Sequence, residues 1–216
     1  MMNILNYDHV IWDWNGTLIN DVQLCFEIIN NLLAQEGLPQ ISISDYKKMF
    51  TFPVINYYKA LGFKTDPTNF NQLSVNFISA YEKNKYSCSL HSDAMKVLKK
   101  LQEYGLGQSI LSAYHQLYLE DVVTYFGLKS YFNRLVGLSN IYAESKVENG
   151  NKWMAELKKT ACHILLIGDT VHDYEVASTI GVDCLLIANG HQNEQILYSC
   201  PVPVIPSLQE LSFYTG

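Results

Sequence analysis

Apolar residues follow two different rhythms along this chain, and the change from one to the other divides it. The run His9-Val-Ile-Trp12 is short and ends in Asp13 and the turn pair Asn15-Gly16, the pattern of a buried parallel strand entering its loop. From Val22 to Leu33 the apolar positions 22, 25, 26, 29, 32 and 33 recur at helical spacing, and Gly37-Leu-Pro39 supplies the stop. Residues 44–50, 54–61 and 67–86 carry further helical patterns, punctuated by Pro53, Gly62 and Asp66-Pro67, with no convincing strand between them. The spacing therefore predicts an all-helical insert over residues 20–89, hinged near Asn20-Asp21 and Ser89-Leu90.

Beyond Leu90 the rhythm becomes strand–helix alternation. The pattern predicts helix 93–104, strand 109–111 ending at Ser112, helix 115–126 and strand 134–138, then helix 148–158, strand 163–167, helix 173–180 and strand 184–187. Such alternation with short connections specifies a parallel sheet with helices on both faces, a doubly wound, Rossmann-like α/β core made of residues 1–19 and 90–216. Ligands of such sheets bind outside the carboxyl ends of the strands. The tail, with Pro201, Pro203 and Pro206 before a short pattern at 207–213, is expected to wrap the surface.

Composition narrows the function classes. With 216 residues, 48% apolar and 17% charged, the chain is of ordinary soluble globular type. Fifteen basic against twenty-one acidic residues give a formal charge of −6 without a basic run, which argues against nucleic acid as a partner. No apolar run approaches the roughly 20 residues of a membrane helix, and the first residues lack a signal-peptide pattern. Five cysteines without a C-x-x-C pair argue against a disulfide framework or a structural zinc site, so a cytoplasmic protein is expected. Oligomeric state is left open.

The predicted strand ends carry Asp13, Ser112 and Asp169, with Asp173 one helical turn further on. Taken singly, each has a bland explanation: Asp13 as a turn residue before Gly16, Asp169 as a helix cap, Ser112 as a satisfied hydroxyl. Together they put several carboxylates on one rim, where like charges repel unless a cation or proton intervenes. Magnesium suits such a site, because it takes few carboxylates, several waters and a phosphate oxygen. Asp13, the carbonyl of Asn15 and Asp169 are the expected metal ligands.

At this point a family resemblance enters. Asp13-Trp-Asn-Gly-Thr-Leu18 resembles the first motif of the haloacid dehalogenase superfamily, D-x-D-G-T-[LV]. Ser112 after Ile110-Leu111, Lys146, and Gly168-Asp169-Thr-Val-His-Asp173 resemble the second, third and fourth motifs, in the same order and spacing. The helical insert between the first two is similar to that superfamily's cap, so the likeness spans nearly the whole chain. It implies a magnesium-dependent hydrolase resembling phosphoglycolate phosphatase in architecture, acting on a small phosphorylated metabolite. Asp13 would attack phosphorus and form an aspartyl phosphate. Thr17, Ser112 and the backbone N–H groups around Trp14 and Ala113 would hold phosphoryl oxygens. Lys146 would neutralise charge on nucleophile and phosphate, and Asp173 would orient Lys146 or a metal-bound water. The cap would exclude water and read the leaving group, with Lys47, Lys48, Phe50 and Tyr57, around the Phe52-Pro53 break, as candidate substrate contacts.

The chain departs from the motif at Asn15, which stands where phosphatases of the superfamily carry the aspartate that protonates the leaving group and activates water. An amide donates hydrogen bonds but cannot shuttle a proton. A substrate with a good leaving group, such as an aryl or acyl phosphate, needs no acid, and His115 or His172 is a substitute carrier. Two alternatives follow from the same departure. One is a hydrolase resembling phosphonoacetaldehyde hydrolase, whose D-W-x-G-T stretch is similar but whose cap lysine aligns with Pro53. The other is a phosphate-binding regulatory protein.

Overall fold

The computed structural model describes residues 3–143 and 145–211. The strand His9–Trp12 (β1) is buried at every position. Its alternate side chains face two cores, Val10 and Trp12 on one side and Ile11 on the other. A residue of a central parallel strand has no polar face to spare, which is why the run reads as unbroken rather than alternating. The strands Gly107–His115 (β4) and Ile164–Gly168 (β6) flank β1 in parallel, with Trp12 opposite Ile110 on one side and Ile167 on the other. Arg134–Leu138 (β5) extends the sheet beyond β4, and Asp183–Ile187 (β7) and Val204–Ile205 (β8) extend it beyond β6. The six-stranded order is β5-β4-β1-β6-β7-β8, and every pairing is parallel.

Helices cover both faces. Ala94–Glu103 (α5) and Gln116–Tyr125 (α6) bury Val97, Leu98, Leu101, Leu119, Val122 and Val123 against one face. Val147–Leu157 (α7) and Val171–Ile180 (α8) bury Met154, Leu157, Val176, Ala177 and Ile180 against the other. This is the doubly wound α/β architecture. Between β1 and α5 the chain forms a two-stranded antiparallel link, Ile19–Asn20 (β2) with Ser89–Leu90 (β3). From this link project four helices, Val22–Gln35 (α1), Ile43–Met49 (α2), Val54–Ala60 (α3) and Pro67–Asn84 (α4). They are clasped to the core by backbone and side chain: the Asn193 N–H donates to the Lys47 carbonyl at 3.1 Å, and Gln192 Nε2 donates to the Phe50 carbonyl at 2.8 Å. A short helix, Glu194–Leu197 (α9), completes the elements.

The structure departs from the expected elements in a few places. β4 runs to His115 because a register shift between Leu111 and His115 lets the strand continue past Ser112, pairing His115 with Leu138. The tail does not simply wrap the surface: Val204 and Ile205 add an edge strand beside β7 despite their flanking prolines, since an edge position needs hydrogen bonds on one side only. A short 3-10 turn occupies Leu208–Glu210, and positions 212 and 213 of the expected tail pattern lie outside the described residues. Among the described residues no helix is long and apolar enough to cross a membrane.

Candidate active site

The register of the sheet builds the site. With Trp12 opposite both Ile110 and Ile167, the chain leaving β1 brings Asp13 level with Leu111-Ser112 and Gly168-Asp169, and the Asp13 N–H donates to the Ile167 carbonyl at 2.8 Å. Lys146, at the N-cap of α7, reaches across to this point. Its Nζ donates to Asp13 Oδ1 at 2.5 Å, to Asp173 Oδ1 at 2.6 Å and to the Leu111 carbonyl at 3.0 Å. Asp173 is held from behind: its Oδ2 accepts from the backbone N–H groups of Asp169 and Thr170 and from Thr170 Oγ1. Here the helix-capping role and the site role coexist, because the two carboxylate oxygens face different partners.

Asp169 sits beside them. Its Oδ1 accepts from Thr17 Oγ1 at 2.9 Å and its Oδ2 from the His191 N–H at 2.6 Å. Close packing around this carboxylate explains two glycines. Gly16 has φ +74°, and a Cβ there would lie 2.4 Å from Asp169 Oδ2, while one at Gly190 would lie 2.1 Å from the same atom. Asp13, Asp169 and Asp173 each bring one oxygen to within 4.8 Å of the others. Burial, with the Asp173 and Asp169 charges adding to it and Lys146 opposing, pushes Asp13 up to about 8. Burial likewise raises Asp169 to about 6, against the pull of His191. Burial alone would depress Lys146, but Asp13 and Asp173 overcome it and hold the ammonium above its usual range. Burial would raise Asp173, yet Lys146 keeps it below. The Lys146 ammonium thus serves Asp13 and Asp173, while His191 pulls on Asp169. A hard divalent cation could sit among these oxygens, and since Asp173 is committed to Lys146 and the α8 cap, Asp13 and Asp169 are the carboxylates that could hold it.

A cleft opens between this cluster and the helical segment. Asp13, Asn15, Ser112, Ala113, Lys146, Asp169 and Asp173 line its floor, and Phe50 and Tyr57 line its roof. Ser112 Oγ also accepts from the Tyr114 N–H at 3.1 Å. Thr17 and Trp14 are fully buried beside the cleft rather than in its lining: the Thr17 hydroxyl is engaged with Asp169, and the Trp14 ring lies in the core. Lys47 and Lys48 do not line the cleft either, which corrects the expectation that they face it. Tyr46 in α2 and Phe50 at its C-cap take the positions that face the cleft; Lys48 is exposed, and Lys47 is half-buried, near enough to Asp169 to feel its charge without lining the cleft.

A second buried cluster, absent from the expected site, lies next to the first. Asp21, fully buried, accepts from the Gly16 N–H at 2.9 Å, Asn15 Nδ2 at 2.7 Å and Tyr81 Oη at 2.8 Å, and its Oδ1 lies 3.2 Å from His191 Nε2. The other nitrogen of His191 bonds Tyr46 Oη at 2.8 Å. His9, His91 and His191 are all buried: His9 bonds Ser109, and His91 bonds the Gly16 carbonyl. The available signal for His191 was its place just past the carboxyl end of β7, on the same rim as Asp13. Burial works against both charges of the Asp21–His191 pair, but each partner prevails, so Asp21 lies below and His191 above its ordinary range. The Asp21 share of this stabilisation fades as pH falls through its lowered folded value. The His191 share fades as pH rises through its raised one. Asp21→Ala, which strands a buried imidazolium, the Asn15 amide and the Gly16 N–H, is expected to lower stability by about 3–5 kcal/mol in urea unfolding at neutral pH. A loss within about 0.5 kcal/mol, as for a surface change, would contradict this account.

A sequence model described as haloacid dehalogenase-like hydrolase matches residues 10–187. No curated protein sequence matches the chain. Similar solved structures include a predicted phosphatase from Clostridium acetobutylicum, with TM-score 0.77 and 17% identity over 95% of this chain and 96% of that one. A predicted phosphoglycolate phosphatase from Haemophilus somnus 129pt gives TM-score 0.74 and 17% identity over 95% and 96% of the two chains. The Mycobacterium tuberculosis Protein Tyrosine Kinase A gives 0.80 and 19% over the same shares. At these identities the likeness is one of fold.

Proposed function

The chain belongs to the haloacid dehalogenase-like hydrolase family, and from that premise we propose that it is a magnesium-dependent phosphatase acting on a small phosphorylated metabolite through an aspartyl phosphate on Asp13. What carries the reading is the convergence of Asp13, Lys146, Asp169 and Asp173 at one buried point on the strand-end rim, open to a cleft of ligand size. Magnesium, held by Asp13, Asp169 and the Asn15 carbonyl, supplies positive charge to the phosphoryl oxygens when bound. Asp13 is the nucleophile, because it alone among the three carboxylates projects from the β1 end with Lys146 on one oxygen and the cleft before it. Lys146 favours the ionised form of that carboxylate against the burial that raises it, and stabilises charge that develops on the phosphoryl group. The Ser112 hydroxyl and the Ala113 and Trp14 N–H groups bind the remaining phosphoryl oxygens. Asp173 positions Lys146.

Residues 20–89 act as the lid. With Tyr46 bonded to His191 and the Lys47 and Phe50 carbonyls clasped by Asn193 and Gln192, bulk water is kept from the cleft while the phosphoryl group moves. Imine chemistry of the phosphonoacetaldehyde hydrolase kind lacks its amine: Pro53 stands at the expected lysine position, and Lys146 is the only lysine lining the cleft among the described residues.

The expected result is hydrolysis of an aryl phosphate that disappears on chelation and returns with magnesium. Tight phosphate binding without magnesium-dependent turnover of any ester in a broad panel would favour the regulatory reading and overturn this one.

A further inference from the structure

Resting on the phosphatase reading above, we infer that the ester cleaved here is the phosphate monoester of a phenol, an aromatic leaving group carrying no charged substituent, whose ring lies in the cleft under the helical lid and whose far end hydrogen-bonds Tyr57. Two independent features of the cleft point the same way.

The first is its roof. The lid contributes Phe50, Phe52, Tyr57, Phe77 and Ile78 to the lining, and none of the lid residues that line the cleft is charged. Phe50 and Phe52, edge to face at 5.4 Å, and Phe52 stacked on His172 at 4.9 Å pack on one another into an aromatic wall against which a flat ring can lie. A carboxylated substrate such as phosphoglycolate finds no charged side chain in the lid's lining to pair its second negative charge, and His191 on the core side is already paired with Asp21. One polar atom in the roof has no partner of its own: Tyr57 is 1% exposed and its hydroxyl makes no hydrogen bond. Buried hydroxyls are rarely left so, and a neutral polar substituent at the far edge of the ring would satisfy it.

The second feature is the floor at the leaving-group position. Asn15 cannot deliver a proton, and both hydrogens of its amide are already engaged, to Asp21 at 2.7 Å and to Tyr81 at 2.9 Å. With no proton supplied from position 15, a leaving oxygen that departs readily as an anion is favoured. A phenol, with a pKa of about 10 like that of tyrosine, does so readily; an alkoxide, nearer the value of about 15.7 for water, does not. In the step itself an Asp13 carboxylate oxygen bonds to phosphorus as the P–O(aryl) bond breaks. The bonding pair leaves on the aryloxide, which takes its proton from solvent. Water then attacks the phosphorus of the aspartyl phosphate, the P–O(Asp13) bond breaks, and the products are a phenol and inorganic phosphate.

The test compares kcat/KM with magnesium for phenyl phosphate, para-acetamidophenyl phosphate, benzyl phosphate and phosphoglycolate. Both aryl esters are expected to exceed benzyl phosphate, which has the same ring on an alkoxide, by about 10²-fold or more, the scale of a missing general acid. Phosphoglycolate should be slower than the aryl esters by a similar factor. Tyr57→Phe should lower the para-acetamidophenyl rate about tenfold more than the phenyl rate, the scale of one neutral hydrogen bond. Preference for phosphoglycolate or equal rates for benzyl and phenyl phosphate would overturn the inference and leave the phosphatase reading standing, and equal Tyr57→Phe effects would overturn the assignment of Tyr57. Absence of magnesium-dependent turnover of all four esters would overturn both readings.

Discussion

Asp13→Asn abolishes magnesium-dependent hydrolysis, with kcat falling by a factor on the order of 10⁴ or more, the scale seen when a nucleophile is removed. The substitution is nearly isosteric and its direct effect on the fold is small. Asp13 is one of three carboxylates clustered in the buried site, and Lys146 still has Asp173 at 2.6 Å as its partner after the change. Burial and its neighbours already press Asp13 toward the neutral form, so a neutral amide at this position relieves repulsion rather than creating it. The variant is therefore expected to unfold in urea at a midpoint equal to or above that of the parent while losing turnover. This dissociation of stability from activity separates a nucleophile from a structural carboxylate. The same pair of measurements on Asp21→Ala should move in the opposite sense, with stability falling first. If Asp13→Asn retained a tenth of the parent rate, the covalent route through this residue would be wrong.

The core was legible in the sequence because parallel strands buried on both faces announce themselves. His9–Trp12, Ile164–Gly168 and Asp183–Ile187 are near-continuous apolar runs, and the rim residues Asp13 and Asp169 follow directly from where the first two stop. Elements of two residues were not legible. Ile19–Asn20, Ser89–Leu90 and Val204–Ile205 owe their pairing to the segments they join and have no periodicity of their own. The direction in which lid side chains point was equally hidden: Lys47 and Tyr46 are adjacent, and only the packing of α2 on His191 decides that the tyrosine turns inward. Asp21 and His191 meet across 170 positions of chain, and a pair of that kind leaves no local trace. Asn15 was visible as a departure from the family motif, but its consequence depends on Asp21 and Tyr81, which only the fold brings to it.

That consequence is sharpest in Asn15→Asp, expected to raise kcat/KM for benzyl phosphate by about 10²-fold or more while changing phenyl phosphate little. A carboxyl group placed where the Asn15 amide stands would face Asp21 Oδ2 at about the present 2.7 Å. Two carboxylates that close cannot both be ionised, so the pair holds one proton between them at neutral pH. The shared proton lies at the position from which an amide now only donates a hydrogen bond, and the new side chain can pass it to a departing alkoxide. A phenolate needs no such help, so its rate has little to gain. The gain has a structural cost that serves as an internal check. The shared proton is held more tightly in the folded than in the unfolded chain, so the variant should lose stability relative to the parent as pH rises from the free carboxyl range toward the pair's raised value, and the benzyl phosphate advantage should fade above that value. An equal gain for both esters would mean that the new carboxylate acts on water rather than on the leaving group. No gain for either would show that proton transfer at position 15 does not limit the rate.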